Sequence, residues 1–171
     1  MFMLSKPTMR DGPLPFEESG SNSNMYYSFD VAGPHIIMLG SYAEYDANYD
    51  QYRWLEADLN KFDRSATPWL IGVLHIVPWY NRNKAHKGKG EETRRAMEEV
   101  LYKARVDIVF TRHVHAYERF TTVYDNKADP CGPIHVTIGD GGNKERLAEV
   151  FQEVEGSSLS VFKEASFGMA D

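Results

Sequence analysis

Apolar residues recur along the chain at two different spacings, which predict alternating strands and helices. Residues 25–31 alternate between two faces, with Tyr27 and Phe29 on one of them, as expected of a half-buried strand. Residues 50–62 carry apolar side chains at helical spacing, which predicts an amphipathic helix. The continuous apolar run at residues 69–75 is typical of a strand buried on both faces. Further strands are predicted at residues 35–39, 106–110 and 133–138, and a second helix follows a polar loop at residues 81–90.

The order of these elements (strand, helix, strand, helix, strand) is typical of a layered α/β fold. In such folds functional residues gather where the carboxyl ends of strands meet loops. Residues 1–24 are rich in Pro, Gly, Ser and Asn, so we expect an irregular segment there and one domain over residues 25–171. The expected core positions of the helices are Tyr52, Leu55, Leu59 and Phe62, with Asp58 turned elsewhere, and then Met97, Val100, Leu101 and Ala104.

Composition excludes several classes of protein. The chain has 171 residues, and 25 Asp and Glu against 19 Lys and Arg give a net charge of -6, so we expect neither a nucleic-acid nor an anionic-membrane partner. No apolar run approaches the ~20 residues that a membrane span requires, and the first ten residues lack the apolar stretch of a secretory signal. Because Cys131 is the single cysteine, an internal disulfide framework and a cysteine-built zinc site are excluded.

Three histidines stand at the ends of predicted strands. His75 ends the most hydrophobic strand, and His113 and His115 directly follow the next one. Two histidines at positions i and i+2 of an extended segment can project to the same side, and neutral imidazole is a common ligand of transition metals. His75 taken alone reads more naturally as a hydrogen-bonded core histidine. Together with the H-x-H pair it favours a metal site.

The remaining histidines support other interpretations. His86 lies in the loop of residues 81–90, which holds three lysines, an arginine and no acidic residue. Such a loop either attracts an anionic substrate or is simply solvated, and composition alone favours the solvated loop. His35 and His135 lie inside strand patterns, so both are expected to be core or strand-face residues rather than ligands.

Residues 113–119 read H-V-H-A-Y-E-R, which resembles the G-H-V-H-A-Y-E-R motif of plant-type purple acid phosphatases, in the calcineurin-like metallophosphoesterase superfamily. The likeness extends to residues 25–31, 78–81, 129–133 and 138–143. It implies a catalytic domain built as a β-sandwich flanked by helices, of which this chain would be a C-terminal part. The implied activity is hydrolysis of phosphate monoesters at acidic pH. The implied cofactors are Fe(III) beside a divalent iron, zinc or manganese ion.

The resemblance also implies roles for individual residues. His75 and His113 would bind the divalent metal, and His115 would bind the ferric ion. His86 would contact the phosphate and protonate the leaving group, since histidine is cationic below a pKa of about 6.5. Cys131 lies near a position that the family uses to join two subunits, so a homodimer is one expectation and a free surface thiol the other. The family further implies a secreted or vacuolar location.

The chain departs from the family pattern at several points. The upstream motifs G-D-x-x-Y and G-N-H-[ED], and the aspartate that bridges the metals, are not found, so we expect a fragment truncated at both ends. Arg112 replaces the glycine of G-H-V-H; it either damages the site or grips phosphate bidentately, and damage is favoured. One extra residue between His75 and Pro78 is expected to rotate the imidazole.

These departures predict little or no turnover for this chain alone. A non-catalytic module that serves as a partner- or metal-binding surface is the alternative from another functional class. Another calcineurin-like esterase, acting on diesters or nucleotides, fits the H-x-H pattern but fits the A-Y-E-R continuation less well.

Overall fold

The computed structural model describes residues 15–75, 78–83, 90–139, 147–148, 150–151 and 159–165. In chain order its elements are α1 (Pro15–Glu18), β1 (Tyr27–Asp30), β2 (Pro34–Leu39), α2 (Asp50–Leu59), β3 (Trp69–Leu74), α3 (Glu91–Lys103), β4 (Ile108–Thr111), β5 (Tyr117–Tyr124), β6 (Lys127–Ala128), β7 (Ile134–Ile138) and β8 (Ser160–Glu164). Neither of the two longer helices in these ranges has the length and hydropathy that crossing a membrane requires.

The described strands form one mixed sheet in the order β1-β2-β3-β4-β7-β5-β6. β8 lies off this path and pairs with the first half of β5, whereas β6 pairs with its end. Strands β2, β3, β4 and β7 are parallel neighbours, whereas β1, β5, β6 and β8 pair antiparallel. Parallel strands end at the same edge of a sheet, so the residues that follow β3, β4 and β7 meet there. The predicted α/β class is confirmed.

The helices bury their apolar stripes in a single core. Leu55 of α2 and Met97 and Leu101 of α3 are almost fully buried, and they share one cluster with Ile37 and Leu74 of the sheet. The predicted stripe of α3 is confirmed. The exposed face of that helix carries two i,i+4 ion pairs, Glu91–Arg95 and Glu99–Lys103. Helix α2 ends three residues earlier than its apolar spacing predicted.

The buried face of β1 is not the face that carries Phe29. Ser28 is buried instead, and its hydroxyl donates a 2.7 Å hydrogen bond to Asp58 of α2. Asp58, expected to point away from the core, is only 7% exposed and also contacts His35. Buried polar groups are tolerated where their partners are satisfied, and here the partners lie on three different elements. Sequence periodicity cannot reveal such a network.

Strands β5, β6 and β8 and helix α1 were not predicted. β5 begins within the H-V-H-A-Y-E-R motif, at Tyr117, and lies between β7 and β8, both antiparallel to it. β6 is only two residues long, and α1 lies in the segment expected to be irregular. α1 is tied to the domain because the Trp54 indole donates to the carbonyl of Ser19 at 3.2 Å.

Candidate functional site

His75 and His113 lie together at the carboxyl edge of the sheet. His75 directly follows β3, and His113 comes two residues after β4, its parallel neighbour. Their ring centroids are 6.4 Å apart, with the planes at 78° to one another. Both side chains are exposed, so this edge is open to a ligand.

The backbone around His113 forms a tight turn between β4 and β5. His113 has a φ of 78°, in the left-handed region that a residue other than glycine rarely adopts. The turn is closed by a hydrogen bond of 2.8 Å from the Ala116 amide to the Val114 carbonyl. Strained backbone of this kind often marks a functional position. Arg112, the residue before it, is exposed.

Gly139, the first residue after β7, packs directly against this turn. A Cβ atom built on Gly139 would lie 1.9 Å from the carbonyl oxygen of Val114. The Gly139 amide also donates to the carbonyl of Ala116 at 3.2 Å. A close backbone approach of this kind is open only to glycine. The end of β7 therefore fixes the position of the turn that carries His113.

Two further segments reach the same edge. The side-chain amide of Asn83 donates to the carbonyls of Ala148 and Val150, at 3.2 and 3.4 Å. The Ala148 amide in turn donates to the carbonyl of His115 at 2.9 Å. These bonds join the loop after β3, the turn after β4 and the chain near residue 148 into one rim. His115 is half-buried in this rim.

Comparison with known proteins identifies the family. A search of protein-family models finds no match. Among curated proteins, purple acid phosphatase 22 of Arabidopsis thaliana is 63% identical over 155 residues, and purple acid phosphatase 21 of the same plant is 59% identical over the same length. Each alignment covers 91% of this chain and 35% of the relative. The chain belongs to the purple acid phosphatase family. It corresponds to a C-terminal portion of its relatives and spans about a third of their length.

A solved purple acid phosphatase, PPD1 from yellow lupin seeds, has the same fold. It superimposes with a TM-score of 0.75 at 30% identity, over 84% of this chain and 27% of the lupin chain. The predicted resemblance is thereby confirmed both in sequence and in fold. The expected metallophosphoesterase architecture holds for the described part of the chain.

Purple acid phosphatases use binuclear metal centres, and the described residues can be tested against that requirement. A metal–imidazole bond is about 2.0–2.1 Å long, so two imidazoles on one tetrahedral ion have centroids about 5 Å apart. The rings of His75 and His113 are somewhat farther apart than that. Within the described ranges, no three His, Cys, Asp or Glu side chains are grouped closely enough to hold a metal. His75 and His113 therefore offer a metal ion two imidazoles, and the described ranges supply no third grouped donor.

The predicted site residues thus divide into three groups. His75 and His113 come together, and His115 lies in the same turn but does not join them as a third grouped donor. Arg112 stands beside His113 at the strand end. His86 and residues 140–143 of the family-like segment lie outside the described residues.

Glu118 is a site-proximal residue that sequence reasoning missed. Its carboxylate is 1% exposed and accepts hydrogen bonds from the Arg82 amide at 2.8 Å and the Ser160 hydroxyl at 2.7 Å. Burial raises the pKa of Glu118, because a charged carboxylate is poorly solvated there. Glu118 thereby ties the loop after β3 and strand β8 to β5. The only indication of its importance in the sequence is that it is the glutamate of the H-V-H-A-Y-E-R motif.

Two histidines have the structural positions expected of them. His135 is buried beneath the rings of Trp79 and Tyr80, and burial lowers its pKa to about 3. His35 lies on the strand face, where it contacts Asp30 and Asp58. Neither lies in the rim that holds His113. The expected core and strand-face positions are thus confirmed.

Proposed function

We propose that this chain carries part of the active site of an acid phosphatase that hydrolyses phosphate monoesters. In this proposal His75 and His113 are ligands of a divalent metal ion, and His115 is a ligand of Fe(III). The family's paired metals would supply an activated water and a clamp on the phosphoryl oxygens. The proposed location is secreted or vacuolar, as the family resemblance implies.

The observation that carries the proposal is the meeting of His75 and His113 at 6.4 Å on adjacent strand ends. The sequence identity of 63% over 155 residues to a curated purple acid phosphatase supports the same proposal. Parallel strands that end in imidazoles at one sheet edge place ligands where α/β proteins commonly build their sites.

The chain's own residues would bind and orient the substrate. Arg112 is exposed at the same strand end as His113, and in this proposal its guanidinium donates two parallel hydrogen bonds to the phosphate oxygens. His86, in the basic loop, is proposed to contact the phosphate and to donate a proton to the leaving oxygen. A histidine acid of this kind is charged at acidic pH, which suits an acid phosphatase.

We further propose that the chain on its own has little or no turnover. The described residues supply a pair of imidazoles, whereas a first-row metal requires about four ligands or more. Ferric iron also favours hard oxygen donors, whereas the three proposed histidine ligands offer only nitrogen.

The test is hydrolysis of a chromogenic phosphate monoester at about pH 5 with iron and zinc supplied. We expect activity at the level of the buffer blank for the wild-type chain and for His113→Ala alike. Robust hydrolysis that His113→Ala abolishes would overturn the proposed inactivity while supporting the site. Robust hydrolysis that His113→Ala leaves intact would contradict the site itself.

The lack of a third metal donor among the described residues also favours a second function. In this alternative the chain is a non-catalytic module that serves as a partner- or metal-binding surface. Elemental analysis of the purified protein separates the two proposals: two metals per chain support a binuclear phosphatase site, and the absence of metal supports the non-catalytic module.

A further inference from the structure

Glu118 is a buried carboxylate that belongs to β5 and contacts the rim around His113. It lies three residues after His115, and its side chain is only 1% exposed. A carboxylate withdrawn from water in this way is costly unless hydrogen-bond donors satisfy it. The donors that do so therefore show which parts of the chain Glu118 holds together.

Each carboxylate oxygen of Glu118 accepts a hydrogen bond from a segment distant in sequence. Oε2 accepts from the backbone amide of Arg82, 36 residues away, at 2.8 Å. Oε1 accepts from the hydroxyl of Ser160, 42 residues away, at 2.7 Å. Glu118 thus connects β5 to the loop that follows His75 and to the first residue of β8.

The contact between Glu118 and Arg82 closes a ring of hydrogen bonds that includes His115. Asn83, next to Arg82, donates through its side-chain amide to the carbonyl of Ala148 at 3.2 Å. The amide of Ala148 donates to the carbonyl of His115 at 2.9 Å, and the chain returns from His115 to Glu118 in three residues. Because the ring is closed, the loop after β3 and the turn after β4 do not shift independently while its bonds are intact.

Sheet pairing alone does not fix the distance between His75 and His113. The register of β3 with β4 ends at the pair Leu74 and Thr111. His75 therefore lies one residue beyond the paired segment, and His113 lies two residues beyond it. The spacing of the two imidazoles depends on contacts outside the sheet, and the ring closed by Glu118 is such a contact between their segments.

We propose that Glu118 is a positioning residue, which sets the position of His75 relative to His113 and His115 by holding the loop after β3 against β5. The inference rests on the proposed function, because the three histidines are the metal ligands assigned there. Glu118 is not itself a ligand in this proposal, since both of its oxygens already accept hydrogen bonds. Residues that orient metal ligands commonly change metal affinity about 10- to 100-fold when they are removed.

Two substitutions of Glu118 separate a role of position from a role of charge. In Glu118→Gln the amide oxygen can still accept from the amide of Arg82, while the amide NH2 donates to the hydroxyl of Ser160, which turns to accept. Glu118→Ala removes both contacts. A positioning role predicts that glutamine preserves metal affinity and alanine does not, whereas a role of charge predicts that both lose it.

The test is calorimetric titration of Zn²⁺ into the full chain and its variants at neutral pH. We expect Glu118→Ala to weaken zinc binding at least tenfold and Glu118→Gln to stay within about threefold of the wild type. The matched control is Asp58→Asn, which alters another buried carboxylate, 7% exposed and hydrogen-bonded to Ser28 and His35. It should leave zinc affinity within about threefold of the wild type, even though it perturbs a buried network. Circular dichroism establishes that each variant is folded.

The outcomes distinguish this inference from the proposed function. Unchanged zinc affinity in Glu118→Ala, with binding that still requires His75 and His113, would overturn the positioning role and leave the metal ligands standing. Equal losses in Glu118→Ala and Glu118→Gln would overturn it in favour of charge. A loss in Asp58→Asn as large as that in Glu118→Ala would overturn it in favour of general destabilisation. A wild-type chain that does not bind zinc would overturn both the ligands and the residue that positions them.

Hydrogen exchange of the wild-type chain keeps the test decisive if Glu118→Ala does not fold. A contact that favours zinc binding is favoured by zinc in return, because the coupling is reciprocal. Saturating zinc should therefore slow exchange of the Arg82 and Ala148 amides at least threefold. The amide of Ser65, which also donates to a carboxylate, that of Asp63 at 2.9 Å, lies in an exposed turn and should not change. Unchanged exchange at Arg82 and Ala148 would contradict the inference.

Discussion

His35 connects two carboxylates that belong to different elements. Its Nδ1 lies 2.6 Å from Asp30 of β1, and its Nε2 lies 2.9 Å from Asp58 of α2. The hydrogen bond to Asp58 is the main cause that raises the pKa of His35, and the contact with Asp30 adds to it. Burial acts in the opposite direction but is outweighed. The protonated ring can donate to both carboxylates, whereas the neutral ring can donate to only one.

This arrangement predicts a pH-dependent stability. Because the folded pKa of His35 is raised above the unfolded value of about 6.5, its contribution is complete below that value and is lost as pH rises through the folded pKa. We expect His35→Gln to lower the free energy of unfolding by about 2 kcal/mol at pH 5.5 and by clearly less at pH 9. Urea unfolding at both pH values, at matched protein concentration, provides the measurement.

His75→Gln serves as the matched control, since its side chain is exposed. Its effect on unfolding should stay within about 0.5 kcal/mol at either pH. A penalty for His35→Gln that is equal at pH 5.5 and pH 9, or larger at pH 9, would contradict the proposed role of the charged ring.

At the scale of elements, the turn that carries His113 depends on its contact with the end of β7. Gly139→Ala would place a methyl group against the backbone carbonyl of Val114, and backbone cannot rotate away as a side chain can. We expect a loss of about 3 kcal/mol in the free energy of unfolding, at the upper end of the cost of overpacking. Thermal or urea unfolding measures it.

Gly72→Ala is the control within the same sheet. A Cβ atom at Gly72 would meet Leu74 and Val109 side-chain atoms at 3.6 and 3.7 Å, which is ordinary contact. It should change stability by less than about 1 kcal/mol in either direction. Equal tolerance of alanine at both positions would mean that the turn and β7 are not held in close contact.

The elements also show what sequence pattern can and cannot predict. The apolar runs located β3 and β4, and with them the positions of His75 and His113, because buried parallel strands have a strong local signal. The pairing of β5 between β7 and β8 has no local signal, since it depends on residues distant in sequence. The burial of Ser28 and Glu118 escaped prediction for the same reason, because polar residues become core residues only when distant partners satisfy them.

At the scale of the whole molecule, the chain spans about one third of the length of its purple acid phosphatase relatives. The described donors fall short of a metal's coordination shell, which agrees with this share of the family length and accounts for the proposed lack of turnover. The motif-based resemblance predicted the family, whereas the pairing of β5 with β7 and β8 is visible only in three dimensions.

Titration of Zn²⁺ into the purified chain, followed by calorimetry, tests most directly whether the His75–His113 pair is a metal-binding remnant of a phosphatase site. We expect measurable binding that His75→Ala and His113→Ala each weaken at least tenfold, since each removes one imidazole ligand. Arg112→Gly, next to the pair, should not weaken it, because the arginine contributes charge but no ligand. Absence of zinc binding, or binding that survives both histidine substitutions unchanged, would contradict the assignment of this pair as metal ligands.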